Sequence, residues 1–374
     1  MHIGINAHLL SGGSGYRSAG IHSYMRETLR HLPAQAPEGW QFSVMVGAQA
    51  ADSFPGMNVR RSSISTESPL RRILWEQFVQ PFHARPFDLL HALAFVSPLV
   101  LTKPSVVTVY DLSFIHYPQR LPAARRLYLR GLTGLSCRRA AQVIAISHST
   151  ARDLTETLEI DPARITVAAP GYDRGRFQAL SQAEIAAFRA AKHLPDRFWL
   201  FIGTLEPRKN LVTLLEAYAS LPTADRLPLV IGGDKGWDYQ PIFETVARHQ
   251  LGDQVRFEGF IPAQELAFWY NAAEAFLYPS IFEGFGLPIL EAMACGTPVI
   301  VSDVSALPEV AGDAGMRVPP TAIDAWREAL KRASADAAWR SAARAAGMQQ
   351  AQRFSWEATA RATIDSYRKV FESA

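Results

Sequence analysis

AFLYPSIFEGFGLPILEAMACGTPVIVSD, residues 275–303, reads as a strand, a glycine-rich turn, a short helix and a second strand. The runs AFLYPS (275–280) and TPVIVSD (297–303) are almost continuously apolar, the pattern of strands buried on both faces of a parallel sheet. Pro288 suits the first turn of a helix, and AMACG (292–296) offers small residues for close packing of that helix on a sheet. Two parallel strands joined by a helix form a βαβ unit. Two carboxylates bracket the turn: Glu283 ahead of the glycines and Glu291 within the helix. A plain connection needs neither.

The same alternation runs along the chain. Strand candidates in the first half are HIGINA (2–7), QFSVMVG (41–47), VRRSSI (59–64), DLLHAL (88–93), SVVTVYD (105–111), QVIAIS (142–147) and ITVAAP (165–170). The second half adds FWLFIGTL (198–205), LPLVIGG (227–233) and VRFEGF (255–260) before the opening stretch. Helical segments separate most of them, with Ser18 and Ser147 placed to cap two. Two such series predict an α/β protein of two doubly wound, Rossmann-like domains, residues 1–175 and 176–354. The amphipathic tail SWEATARATIDSYRKVF (355–371) is either the last helix of the second domain or a strut returning to the first.

Composition narrows the class. A chain of 374 residues accommodates two domains at roughly 100–200 residues each. No apolar run reaches the ~18 residues of a membrane span, and MHIGINAHLL lacks the layout of a secretory signal. Cys137 and Cys295 belong to no Cys/His cluster, which predicts reduced, buried thiols in a cytosolic protein. Residues 1–175 carry 18 Lys and Arg against 12 Asp and Glu, whereas the remainder carries 20 against 23. A basic first half favours an anionic partner such as a phosphate or a membrane surface. The excess is small and no aromatic-basic motif accompanies it, which argues against nucleic acid.

Ligands of doubly wound sheets bind beyond the carboxyl ends of the strands, and the unusual residues of this chain fall there. SGGSGYRSAG (11–20) follows the first strand, where Gly12 and Gly13 let backbone approach a phosphate or sugar, although the spacing is not that of a dinucleotide fingerprint. GTLEPRKNL (203–211) sets Arg208 and Lys209 at the start of a helix, with Asn210 placed to cap it. Cations are disfavoured at that end of the macrodipole, so an anion between them is expected. In FEGFGLP the glycines and the helix start form a cradle for an anion or hydroxyl, and a carboxylate such as Glu291 can accept from a vicinal diol. Asp111 ends the fifth strand, where it can orient a substrate hydroxyl, with His116 nearby. The basic stretches YPQRLPAARRLYLRGLTGLSCRR (117–139) and PLRRILWEQF (69–78) are candidates for an anionic membrane surface or, equally, ordinary solvated faces. Facing domains with these edges turned together would enclose a cleft.

Taken together, these motifs resemble the family 4 glycosyltransferases of the GT-B fold, over almost the whole chain. YPSIFEGFGLPILEAMACGTPVIVSDVSALPEV (278–310) carries the family's pair of glutamates separated by seven residues, and GTLEPRKNL, IGGDKGW, VRFEGF and AISHSTARDL agree in order and spacing. The subgroup it resembles builds O-antigen, lipopolysaccharide and exopolysaccharide, often from GDP-mannose. The resemblance implies that Glu283 faces the donor sugar near the reacting centre and Glu291 binds the ribose hydroxyls. Phe285, Gly286 and Leu287 would offer backbone amides, Arg208 and Lys209 would hold the diphosphate, and the Gly12–Gly13 loop would close over it. Thr204 and Gly232 would line the donor site, and Phe260 and Ile261 would sit by the base. It also implies that the tail returns to the first domain. Two positions depart from the pattern. Tyr110 stands where many relatives have a histidine before the strand-end aspartate, and Thr204 stands where many have an arginine.

The implied reaction is transfer of a hexosyl group with retention at the anomeric carbon. Glu283 and Glu291 look like binders rather than an acid and a nucleophile, so catalysis would fall to stabilising charge on the leaving diphosphate. No metal-ligand cluster is visible, which predicts no cofactor and metal-independent turnover. Expected partners are a nucleotide-sugar donor, a glycan or polyprenyl-diphosphate-linked glycan acceptor on the N-terminal domain, and an anionic membrane surface. The expected location is cytoplasmic, peripheral on the inner face of the membrane. Competing readings are a glucosyl- or rhamnosyltransferase using a UDP- or dTDP-sugar, a sugar-nucleotide epimerase, and a non-catalytic donor-binding subunit.

Overall fold

Continuous apolar runs form strands here because both of their faces are covered. A computed structural model of the chain describes residues 1–10, 19–48, 50, 52–62, 68–120 and 123–372. The first sheet comprises β1 (His2–Asn6), β2 (Gln41–Val46), β3 (Asn58–Arg61), β4 (Leu89–Ala92), β5 (Ser105–Val109), β6 (Gln142–Ala145) and β7 (Ile165–Val167), in the order β3-β2-β1-β4-β5-β6-β7. The second comprises β8 (Trp199–Ile202), β9 (Leu229–Gly232), β10 (Val255–Gly259), β11 (Ala275–Tyr278), β12 (Val299–Ser302) and β13 (Met316–Val318), in the order β10-β9-β8-β11-β12-β13. All pairings are parallel. The central strands β4, β5, β6, β9, β11 and β12 are buried throughout, as a doubly covered sheet requires. The two α/β sheets expected from the sequence are therefore present.

Local differences have simple causes. The run 59–64 yields a strand that ends at Arg61. Strand β13 has three residues, too few for a recognisable pattern. Ser147 caps the helix His148–Leu158 by accepting from Thr150 N–H at 2.9 Å. Ser18 lies outside the described residues. Both cysteines are buried and free. Among the described residues no helix is long and apolar enough to cross a membrane.

The chain divides into two units, Met1–Gly171 with Ser355–Ala374, and Tyr172–Phe354. The chain leaves and re-enters the first unit at one spot, because Gly171 lies directly against the backbone of Ser355 and Trp356 and has no room for a side chain. The terminal helix Trp356–Glu372 packs on the helix Ala19–Gln35, with Trp356 edge-on to Tyr24 at 5.9 Å. Farther along, the Tyr367 hydroxyl lies 2.6 Å from His91 Nδ1, and His91 Nε2 lies 2.8 Å from the Thr108 hydroxyl.

Burial pushes the His91 pKa down to about 3. Between pH 6.5 and that value the unfolded chain takes up a proton that the native ring refuses, so this residue's contribution to stability is lost as pH falls. Tyr367→Phe is expected to destabilise the protein by about 1–3 kcal/mol by leaving a buried ring nitrogen without its partner. The urea midpoint at neutral pH measures it, and an unchanged midpoint would show that the contact contributes nothing.

Candidate functional site

Strands β8 and β11 are neighbours, but the chain leaves β8 toward β9 and leaves β11 toward β12. Such a reversal opens a crevice outside the carboxyl ends of the two strands. After β8 the chain passes Gly203 and Thr204, makes a single tight turn at Pro207–Lys209, and enters the helix Leu211–Ala219. After β11 it passes Phe282–Gly284 and enters the helix Leu287–Ala294. The two segments are joined by their backbones, Ile281 N–H donating to the Arg208 carbonyl at 2.9 Å.

Side chains complete the junction. Arg208 Nη1 lies 2.7 Å from Glu283 Oε2, and its Nη2 lies 2.8 Å from Glu206 Oε1. Arg208 Nη1 also donates to the Phe282 carbonyl at 2.6 Å. Lys209 Nζ lies 2.7 Å from Glu283 Oε1 and 2.6 Å from the Tyr278 hydroxyl. The Glu283 N–H donates to Ser305 Oγ at 3.0 Å. The anion expected between the two cations is thus Glu283 itself, and Glu206 balances the second positive charge. Burial alone would raise the Glu283 pKa, but Arg208 and Lys209 hold it down to about 2, so this carboxylate is ionised at any working pH.

Glycines let the neighbouring loops close. The N–H of Gly233 donates to the Gly259 carbonyl at 2.6 Å, and a side chain at this position (φ +139°) would overlap the Gly203 carbonyl. A side chain on Gly232 would strike Ile261, which is buried, whereas Phe260 beside it is exposed. Thr204 is half-buried, with its methyl toward Gly236. Asn210 does not cap its helix. It adopts a left-handed conformation, and its amide bridges the carbonyls of Pro279 and Pro320 at 3.1 and 2.7 Å.

The helix Leu287–Ala294 starts from Gly286 at φ +115°, and no side chain caps it. Its first N–H groups and the positive end of its dipole make an anion cradle. Phe285 is anchored edge-on to Phe354 at 5.5 Å, which fixes the backbone in front of that cradle. One turn in, Glu291 accepts from the Tyr270 hydroxyl at 3.0 Å. Burial raises its pKa to about 7, against the opposing pull of Tyr270 and Arg176.

Gly12 and Gly13 fall outside the described residues. Asp111 belongs to the first unit, where its carboxylate accepts from Ser113 N–H at 2.8 Å and starts the helix Ser113–His116. Tyr110 is buried and donates to the Leu93 carbonyl at 2.8 Å, and His116 Nε2 lies 2.7 Å from Asp153. Both are engaged structurally. Sequence reading assigned no role to Tyr278, Tyr270 or Ser305. Tyr278 carried a signal, as a polar-tipped residue near the end of the run 275–280, whereas the other two reach the site only through long-range packing. Among the described residues no group of three His, Cys, Asp or Glu side chains converges as metal ligands would.

Residues 18–176 match the family model "Glycosyltransferase Family 4", and residues 183–350 match "Glycosyl transferases group 1". The O-antigen chain mannosyltransferase B of Escherichia coli is 32% identical, with 94% of this chain and 97% of that protein aligned. The D-inositol 3-phosphate glycosyltransferase of Frankia alni is 30% identical, over 96% of each chain. In three dimensions the sucrose-phosphate synthase of Thermosynechococcus elongatus is similar at a TM-score of 0.77, with 24% identity and full coverage of both chains. Anabaena HepE, solved with UDP and glucose, gives a TM-score of 0.75 at 19% identity, also with full coverage of both chains. At these identities the two structures speak to the fold alone.

Proposed function

Because the chain belongs to the family 4, group 1 glycosyltransferases, we propose that it moves mannose from GDP-mannose to a glycan acceptor, with retention at the anomeric carbon, during synthesis of a cell-surface polysaccharide. The observation that carries this reading is the Arg208–Glu283–Lys209 cluster beside the uncapped helix start at Gly286, at the point where the second sheet reverses. The mannosyltransferases among the relatives support the choice of sugar.

In this reading the second unit holds the donor and the first holds the acceptor. The diphosphate lies between Arg208, Lys209 and the N–H groups near Gly286. Its arrival draws the two cations partly away from Glu206 and Glu283. Glu283 then accepts from the donor sugar's hydroxyls, and Glu291 accepts from the ribose diol, next to Phe260 and Ile261 at the base. Thr204 and Gly232 line this pocket. As the bond from the anomeric carbon to the phosphate oxygen breaks, negative charge grows on the diphosphate, and fixed cations and amides stabilise it without reorganising. The acceptor hydroxyl attacks from the same face and gives its proton to the leaving phosphate oxygen. No metal or cofactor is required, since the protein's own cations serve the diphosphate. Asp111 orients a hydroxyl of the acceptor, a glycan or polyprenyl-diphosphate-linked glycan, at the inner face of the cytoplasmic membrane.

Purified protein with a mannose-terminated acceptor is expected to release GDP from GDP-mannose, and to do so undiminished in EDTA. Preferred turnover of UDP- or dTDP-sugars would replace the donor assignment. Conversion of the donor without acceptor would reveal an epimerase. Loss of activity in EDTA that a divalent ion restores would overturn metal independence.

A further inference from the structure

Exposed apolar side chains of the first unit gather on one face. Leu74 is 49%, Phe78 69%, Phe82 61% and Val100 77% exposed. The first three lie on the helical run Pro69–His83, which contains a π turn at Trp75–Val79 closed by Gln80 N–H to the Trp75 carbonyl. In an α-helix, steps of four residues drift by about 40° around the axis. The wider π turn takes up part of that drift, so Leu74, Phe78 and Phe82 stay closer to one line.

The inner side of the same run is already filled. Trp75 packs with Met45, Ala84, Phe87 and Leu90, and its ring lies 3.9 Å from that of His8. The Asn6 amide reaches Glu76 and Gln80 at 3.3 Å each. The outward side chains therefore have no internal home. Gln77 accepts from Leu99 N–H at 3.0 Å and holds the segment bearing Val100 alongside. Arg139 donates to the Leu99 carbonyl at 2.9 Å, and exposed Leu135 sits one turn earlier on the same helix.

The charges around these side chains are mainly positive. Residues 67–88, 97–104 and 133–141 contain Arg71, Arg72, Arg85, Lys103, Arg138 and Arg139, against Glu67, exposed Asp88 and Glu76, which is buried beside Arg72. Arg85 lies over the Phe82 ring at 4.9 Å. An apolar centre within a cationic rim is the complement of an anionic bilayer, which offers phosphates at the surface and hydrocarbon just below. A two-fold pairing of copies through this face would instead bring the same arginines toward one another.

We propose that this face docks the enzyme on an anionic lipid surface, with Phe78 and Phe82 entering the headgroup region and the arginines meeting lipid phosphates. The inference deepens the lipid-linked acceptor reading above by naming the contact surface. Of the two basic stretches, 69–78 supplies Arg71, Arg72, Leu74 and Phe78, and 117–139 supplies Leu135, Arg138 and Arg139 from its end.

Flotation of the full-length protein with vesicles of equal parts phosphatidylglycerol and phosphatidylcholine tests it. Wild type is expected to float, to do so far less with phosphatidylcholine alone, and to be released by high salt. The double variant Phe78→Ser, Phe82→Ser is expected to float at least roughly tenfold less. It should fold normally by circular dichroism and turn over a short water-soluble acceptor at the wild-type rate. Equal flotation of variant and wild type, or none by wild type, overturns the proposal. So does a dimer in light scattering that the variant breaks while flotation persists, which would make the face an interface between copies. Lost turnover on the soluble acceptor would assign the face to the acceptor site. Failure of wild type to transfer sugar at all would sink the functional reading and leave the flotation result standing.

Discussion

Glu283→Gln is expected to slow turnover by about 10²–10³-fold and yet to bind nucleoside diphosphate about tenfold more tightly. The reason lies in the charge balance of the cluster. In the free protein Arg208 and Lys209 are neutralised by Glu206 and Glu283 at 2.7–2.8 Å. Removing one negative charge leaves a net cation facing the crevice, which favours an incoming diphosphate. The same change removes the carboxylate that positions the donor sugar, so the bound donor reacts slowly. Removing one partner of a buried ion pair costs about 3–5 kcal/mol in general, so urea unfolding must show that the variant remains folded. Glu283→Asp is the control. It keeps the charge, and it should return diphosphate affinity toward wild type while turnover stays low. Weaker diphosphate binding by the glutamine variant, measured calorimetrically, would refute this account of the cluster.

Glu291→Gln is expected to make the donor-free protein more stable and the enzyme worse. Burial raises the Glu291 pKa to about 7. The native state therefore keeps a proton between the ordinary carboxyl range and pH 7 that the unfolded chain has released. Stability falls as pH rises through that window, and above it the full cost of a buried charge is present. Glutamine removes that cost and can still accept from Tyr270, for a gain of about 1–3 kcal/mol at pH 8. The same substitution loses the ionised acceptor for the ribose diol and should raise the donor KM by about 10–100-fold. The pH dependence separates this from a packing effect. Wild-type donor affinity should weaken as pH falls from 8 to 6 and Glu291 takes up its proton, whereas the variant's should stay flat. A variant that is both less stable and equally pH-dependent would refute this role.

These two residues also mark how far the sequence could be read. The strand–turn–helix–strand pattern around them was legible because buried parallel strands are apolar throughout and proline starts helices well. The need for an anion between Arg208 and Lys209 was legible from the helix dipole. Its source was not, because Glu283 is 74 residues from Lys209 in sequence and meets it only through the packing of β8 against β11. Tyr270, 21 residues from Glu291, was hidden for the same reason. Asn210 looked like a helix cap, but its amide is drawn to two carbonyls of distant segments. The π turn at Trp75–Val79 was likewise invisible. The stretch 69–78 read equally as a membrane surface or an ordinary solvated face, and only the claim of Trp75 on the core shows which side chains face outward.

The meeting of Gly171 with Ser355 and Trp356 has a consequence for the order of synthesis. The second unit is inserted into the first, whose closing helix Trp356–Glu372 is made only after it. A domain emerging from the ribosome ordinarily folds before the next one is made. Here the first unit must wait through 183 intervening residues, Tyr172–Phe354, with the bed of its final helix, including Tyr24 and His91, uncovered. The second unit, contiguous in the chain, is free to fold first. A released chain truncated after Phe354 should present a protease-resistant second unit attached to a digestible first one.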